Sequence, residues 1–119
     1  MKNIIFGTTI ETNTTYPIHN APPPEARAYW IEKLRRELSR GVMITIEPIL
    51  DFDVVTMINW LTDIKPLWVN IGADSKGHKL PEPSPEKVKK LIEELKKFTE
   101  VKVKDNLKRI MKQAFNSLK

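Results

Sequence analysis

Between two segments with helical periodicity the chain reads Val42-Met43-Ile44-Thr45-Ile46, followed directly by Glu47-Pro48. The run is almost continuously apolar and rich in β-branched side chains, which is typical of a buried strand in a parallel sheet. Proline removes a backbone donor and disfavours helix for the residue before it, so the strand is expected to end at Glu47. The stretch therefore predicts a parallel sheet covered by helices.

Working outward, apolar runs predict three further strands, and amphipathic segments predict four helices. The strands are expected at residues 3–10, 67–71 and 100–104, and the helices at 25–40, 53–64, 84–98 and from 105 onward. This alternation predicts an α/β fold in one domain of 119 residues. Its four βα units are expected to form a parallel sheet, either half of a (β/α) barrel or a small open three-layer sandwich.

The first predicted helix carries an apolar residue at every fourth position: Ala26, Trp30, Leu34 and Leu38. Residues four apart lie on the same side of a helix. We therefore expect this stripe to pack against the sheet, and we expect the tryptophans of the chain to belong to the core or to a partner surface.

The composition of the chain excludes several classes of protein. The chain has no cysteine, which excludes disulfides, thiol nucleophiles and cysteine-ligated metal clusters within it. The first apolar run is only three residues long, Ile4-Ile5-Phe6, and no run approaches the ~18 residues of a membrane span. The sequence therefore predicts a protein of the cytoplasm with no membrane partner.

Polar side chains follow the strands where each strand should turn. These are Thr9, Glu11 and Asn13 after the first strand, Glu47 after the second, and Gly72, Ala73, Asp74 and Ser75 after the third. The carboxyl ends of parallel strands meet at one edge, so the three acids are expected within about 5–10 Å of one another. Such acids raise each other's pKa unless a cation or hydrogen-bond donors compensate them. The simpler alternative is that Glu11 and Asp74 cap loops or helices and that Glu47 bonds local backbone.

Two other classes of function remain open at this point. Three clustered acids are suited to a divalent cation, which would give a metal-dependent hydrolase or lyase. The last third of the chain is basic, with 11 Lys or Arg against 5 Asp or Glu in residues 84–119. A nucleic-acid surface would use Lys104, Lys108, Arg109 and Lys112. Solvated helix faces explain the same charges more simply, so nucleic acid is not the expected partner.

Three motifs carry a family resemblance. They are Thr8-Thr9-Ile10-Glu11-Thr12-Asn13, then Ile44-Thr45-Ile46-Glu47-Pro48-Ile49-Leu50, and then Trp68-Val69-Asn70-Ile71-Gly72-Ala73-Asp74-Ser75. In this order and spacing they resemble the C-terminal half of radical SAM proteins, in particular the phage-associated branch.

The resemblance implies a partial (β/α) barrel with a 4Fe–4S cluster on a CxxxCxxC loop and S-adenosylmethionine across the strand ends. It implies that Glu11 and Asn13 contact the ribose, that Ile46 and Glu47 lie near the adenine, and that the backbone from Ile71 to Ala73 lines the site. This chain departs from the pattern because it has no cysteine and therefore cannot hold the cluster. It is not expected to be catalytic alone.

The leading interpretation is an incomplete, radical-SAM-like half-barrel. Its strand-end site is expected to bind a nucleoside-like ligand such as S-adenosylmethionine, or to complete the active site of a partner. A half-barrel leaves two open sheet edges, and an apolar edge strand seeks a partner. The expected partners are a second copy of the chain, or an N-terminal half that carries the cluster motif, docked through the first βα unit.

Overall fold

The computed structural model describes residues 4–14, 22–74 and 79–111, in which strands alternate with helices. The strands are β1 (Phe6–Thr9), β2 (Val42–Ile46), β3 (Trp68–Ile71) and β4 (Glu100–Val103). The helices are α1 (Pro24–Leu38), α2 (Val54–Ile64) and α3 (Pro85–Leu95). A 3-10 turn, Asp105–Leu107, then leads into a helical segment at residues 108–111. The predicted α/β fold is confirmed.

The strands form one sheet in the order β1-β2-β3-β4, and every neighbouring pair is parallel. Each crossover thus moves one position in the same direction, and right-handed crossovers then place every helix on the same side of the sheet. In agreement, α1 packs beside α2 and α2 packs beside α3. The sequential order selects the half-barrel over the three-layer sandwich, which needs helices on both sides.

The two faces of the sheet differ in burial. On β2, Val42, Ile44 and Ile46 are buried under the helices, whereas Met43 and Thr45 are only half-buried. The same alternation continues on β3, where Val69 and Ile71 are buried. We call the other side the inner face, and its residues are Gly7, Thr9, Met43, Thr45, Trp68, Asn70, Glu100 and Lys102. The apolar run of β2 therefore packs against helices on one side only.

A capping side chain stands at the start of α2 and of α3. The Asp53 carboxylate accepts from the backbone N–H of Thr56 at 2.9 Å, and the Ser84 hydroxyl accepts from that of Lys87 at 3.2 Å. Both bonds satisfy backbone donors that the first turn leaves unpaired. Within the described ranges, no helix is long and apolar enough to cross a membrane.

The core lies between the helices and the covered face, and α1 contributes to it differently from the prediction. Ala28 and Ile31 are buried, whereas Trp30 is 57% exposed and Leu38 is 50% exposed. The prediction that the stripe packs on the sheet was therefore wrong at Leu38 and at Trp30, for which the alternative of a partner surface stays a prediction. The side of α1 that meets the core is centred on Ala28 and Ile31 and includes Leu34 only in part.

The core location gives a first prediction. Leu61→Ala, in the middle of α2 where Leu61 is 0% exposed, should lower the free energy of unfolding by about 2–5 kcal/mol, because it leaves a cavity. Val55→Ala is the matched control on the same helix, at a side chain that is 67% exposed. Urea denaturation measures both, and equal losses would contradict the assigned face of α2.

Candidate functional site

The residues that follow the strands meet at one edge of the sheet, as predicted. The backbone N–H of Gly72 donates to Ile46 at 3.0 Å, and the N–H of Ile49 donates to Gly72 at 2.9 Å. The N–H of Lys104 donates to Ile71 at 2.9 Å. These bonds join the chain after β2, β3 and β4 into one surface, which we call the carboxyl edge. Ser75, the remaining candidate after β3, lies outside the described residues.

Glu47 lies across the end of β3. Its Oε1 is 2.6 Å from Lys104 Nζ, and its Oε2 accepts from Asn106 Nδ2 at 3.1 Å. Asn106 Oδ1 in turn accepts from the backbone N–H of Ala73 at 3.0 Å. A Cβ on Gly72 would lie only 2.7 Å from Glu47 Oε2, so glycine leaves the room that the carboxylate occupies. Glu47 therefore bonds side chains that follow β4.

The environment of Glu47 fixes its charge. Burial alone would raise the pKa of this carboxyl, but the hydrogen bonds from Lys104 and Asn106, together with the charge of Lys104, lower its pKa below the ordinary 4.5. A general acid or base works best with a pKa near the operating pH. Glu47 is thus a fixed anion at neutral pH and is poorly suited to proton transfer.

Glu11 is buried in an ion pair with Arg27 from the first turn of α1. Arg27 Nη2 bonds Glu11 Oε1, and the two side chains are 14% and 9% exposed. The same guanidinium donates to the backbone carbonyl of Thr9, and through Nε to that of Pro22 at 2.9 Å. Arg27 therefore ties the end of β1 to the start of α1.

The side chain of Asn13 is also hydrogen-bonded to another part of the fold. Its Nδ2 donates to the carbonyl of Asp53 at 2.7 Å, and its Oδ1 accepts from the N–H of Asp53 at 2.9 Å. Thr12 bonds the carbonyl of Asp51 in the same way, at 2.6 Å. Residues 11–13 thus run alongside the loop that precedes α2, and the Asn13 amide serves that loop.

Asp74 lies beside a base as well. Its carbonyl accepts from Arg109 Nη2 at 3.1 Å, and Arg109 Nη1 donates to Glu82 at 2.8 Å. The bond to Glu82, with a smaller contribution from the charge of Asp74, raises the pKa of Arg109.

Each of the three predicted acids thus has a base of the chain beside it, namely Arg27, Lys104 and Arg109. Glu47 follows the second of the two expected outcomes, because the amine of Lys104 and the amide of Asn106 compensate it and its pKa is lowered. Among the residues that the structure describes, no group of three or more His, Cys, Asp or Glu could hold a metal ion.

Sequence reasoning missed Arg27 and Asn106. Arg27 carried a signal, because a base in the first turn of a helix opposes the helix dipole and suggests a specific acidic partner. Asn106 carried none, since it lies 59 residues from Glu47 along the chain.

The inner face presents a second arrangement, which we call the polar row. Thr9, Thr45, Asn70 and Lys102 stand in register, one on each strand. Strands lie about 4.8 Å apart, so the row spans about 14 Å. No hydrogen bond joins the side chains of Thr9, Thr45 or Asn70 to any part of the chain that the structure describes. Lys102 Nζ lies 4.7 Å from the centre of the Trp68 ring.

An apolar floor lies next to the polar row, toward the amino ends of the strands. It consists of Gly7, Met43 and Trp68, which are also in register, and the same row ends at Glu100 on β4. A Cβ on Gly7 would lie 2.5 Å from Met43 Sδ, so Met43 covers the glycine. The inner face therefore combines unpaired polar groups with an apolar surface.

Comparison with known proteins finds no family model, no curated protein and no solved structure that matches this chain. These comparisons neither support nor refute the radical SAM resemblance. Glu11 and Asn13, which it assigns to the ribose, are already bonded to Arg27 and Asp53 and do not fit that role. The cluster does not fit either, because the chain has no cysteine.

The buried ion pair predicts a large mutational effect. Arg27→Met should lower the free energy of unfolding by about 3–5 kcal/mol, because the buried Glu11 carboxylate loses its ion pair with the guanidinium. Arg36→Met is the control, since Arg36 forms an exposed pair with Glu32 on the same helix, 3.1 Å away. We expect no measurable change for the control in urea denaturation, and a similar loss in both variants would contradict a structural role for Glu11.

The lowered pKa of Glu47 predicts a pH dependence. A carboxyl with a folded pKa below its unfolded pKa adds stability that is present above about 4.5 and is lost as the pH falls through the folded pKa. Unfolding measured from pH 7 to pH 3 should show a smaller acid-side loss in Glu47→Gln than in the wild type. The loss of stability between pH 7 and pH 3 should also be smaller in Lys104→Met than in the wild type. Wild-type behaviour of both variants would show that the pair does not form.

Proposed function

We propose that this chain is a half-barrel, not catalytic by itself, that binds a nucleoside-like ligand on its inner face, above the polar row. The observation that carries the proposal is the row itself: Thr9, Thr45 and Asn70 have side chains without hydrogen-bond partners among the described residues. They stand at the carboxyl side of a parallel sheet, where ligands of α/β proteins bind.

The chemistry of the row matches the parts of such a ligand. The Asn70 carboxamide offers a donor beside an acceptor, which is the pattern that pairs with the edge of an adenine base. The hydroxyls of Thr9 and Thr45 can bond ribose hydroxyls, and the Lys102 ammonium can meet a carboxylate or phosphate. The row spans about 14 Å, which suits a nucleoside with a short charged chain.

S-adenosylmethionine belongs to this ligand class, since its 5′-deoxyadenosyl group is joined through a sulfonium to an amino acid with a free carboxylate. The family resemblance implies the same class of ligand but at Glu11 and Asn13, so the proposal for the polar row depends on the row itself. We infer only binding for this chain, in the cytoplasm, with any chemistry supplied by a partner whose active site it completes.

The alternatives gain less support. A metal-dependent hydrolase would need uncompensated acids, and Glu11, Glu47 and Asp74 each have a basic neighbour. A nucleic-acid surface would need free bases. Lys104, Lys108 and Arg109 are each paired with an acid, and Lys112 lies outside the described residues.

Calorimetric titration with adenosine and with S-adenosylmethionine tests the proposal. Saturable binding should weaken about tenfold in Asn70→Leu and in Thr45→Val, because each variant removes a hydrogen bond to the ligand. Thr62→Val is the matched control, since the Thr62 hydroxyl bonds the carbonyl of Ile58 on α2 at 2.7 Å. No saturable heat with either compound at millimolar concentration, or equal affinity in all variants with unchanged melting temperatures, would overturn it.

A further inference from the structure

The outer flank of α1 carries an apolar stripe that is exposed at both ends. Trp30, Leu34 and Leu38 are spaced by four residues and so lie on one side of the helix, and Leu34 between the other two packs partly against the core. Trp30 is 57% exposed and Leu38 is 50% exposed. Burial of a side chain of this size is favourable by roughly 1.5–3 kcal/mol, so such a stripe indicates a contact surface.

The position of α2 shows which way the stripe faces. A groove between α1 and α2 is lined on the α1 side by Ala28, Tyr29 and Glu32, and on the α2 side by Trp60 and Asp63. The stripe is on the other flank of α1 and therefore lies on the side of the free edge of β1. Ile4 and Ile5, which directly precede β1, are also exposed.

The two free edges of the sheet differ in charge. β1 (Phe6–Thr9) carries no charged side chain, whereas β4 (Glu100–Val103) carries Glu100 and Lys102. Both charges of β4 lie on the inner face and alternate with Val101 and Val103, so they leave its backbone edge open to a parallel strand. The uncharged β1 together with the stripe forms what we call the β1 docking surface.

We propose that a second copy of this chain occupies the β1 docking surface, so that β1 of each copy pairs with β4 of the other and an eight-stranded (β/α) barrel closes. A two-fold axis along the barrel places β1 of each copy next to β4 of the other. The two seams are equivalent, and the strands at each seam are parallel. All eight strands are then parallel, and neither copy keeps a free edge. Pairing of β1 with the partner's β1 would be antiparallel and would leave both β4 edges open.

The apolar floor supports this closure independently of the stripe. The interior of an eight-stranded barrel is filled by layers of side chains from the strands. In the single copy Met43 and Trp68 are only half-buried on the inner face. Closure gives them the floor of a second copy as a packing partner and brings Glu100 of each copy into the same layer, while the polar rows of both copies line the mouth of the barrel.

Sedimentation velocity over micromolar to submillimolar concentrations tests for the dimer. Trp30→Glu and Leu38→Glu should each weaken dimerisation by roughly 30-fold or more, because they place a charge in the contact. Val55→Glu, at an exposed apolar residue of α2, is the control and should leave the dimer intact. A monomer at every concentration, or equal weakening by all three variants, overturns the proposal.

Cross-linking decides which edges meet. The chain has no cysteine, so Ile5→Cys and Val103→Cys each introduce a unique thiol. With a short bismaleimide, a mixture of the two variants should form a cross-linked pair that neither variant forms alone. Cross-linking of Ile5→Cys alone would show β1 paired with β1 and would overturn barrel closure. The proposal does not depend on ligand binding, which the adenosine titration tests separately.

Discussion

The handedness of the βα crossover is the constraint from which the other features follow. Because the strands occur in sequential order and are all parallel, right-handed crossovers bring every helix to one side of the sheet. The core forms only there, with Ile44, Ile46 and Leu61 fully buried. The inner face is left half-buried and the two edges are left unpaired within the described residues. In a sheet with helices on both sides these surfaces would belong to the core. In this sheet the inner face and the edges can contact a ligand or a partner.

The carboxyl edge is held by charges that the chain compensates internally. Glu11 meets Arg27 from α1, and Glu47 meets Lys104 after β4. The first pair joins the end of β1 to α1 within one βα unit, and the second joins the ends of β2 and β4 across β3. Breaking a buried pair is costly because one charge stays behind without its partner. These acids therefore stabilise the edge, and the unpaired groups that remain for a ligand lie on the inner face.

Local signals in the sequence predicted much of the fold. The strands, the starts of α2 and α3, and the edge where the polar residues meet all follow from patterns of a few residues. The buried face of α1 did not, because periodicity finds apolar faces but does not say which of two meets the sheet. The pairing of Glu47 with Asn106 was also beyond prediction, since it joins residues 59 positions apart.

The exposed residues of α1, where the prediction was wrong, and the half-buried residues of the inner face have one common explanation. The stripe of Trp30, Leu34 and Leu38 lies beside an uncharged edge strand, and Met43 and Trp68 lie on an inner face that lacks a covering layer. A partner bound only to α1 would account for the stripe and leave the floor open. A ligand above the polar row would cover part of the floor and leave the stripe exposed. Closure by a second half-barrel buries both, because the helix flank, the strand edge and the inner face all meet the partner in one barrel.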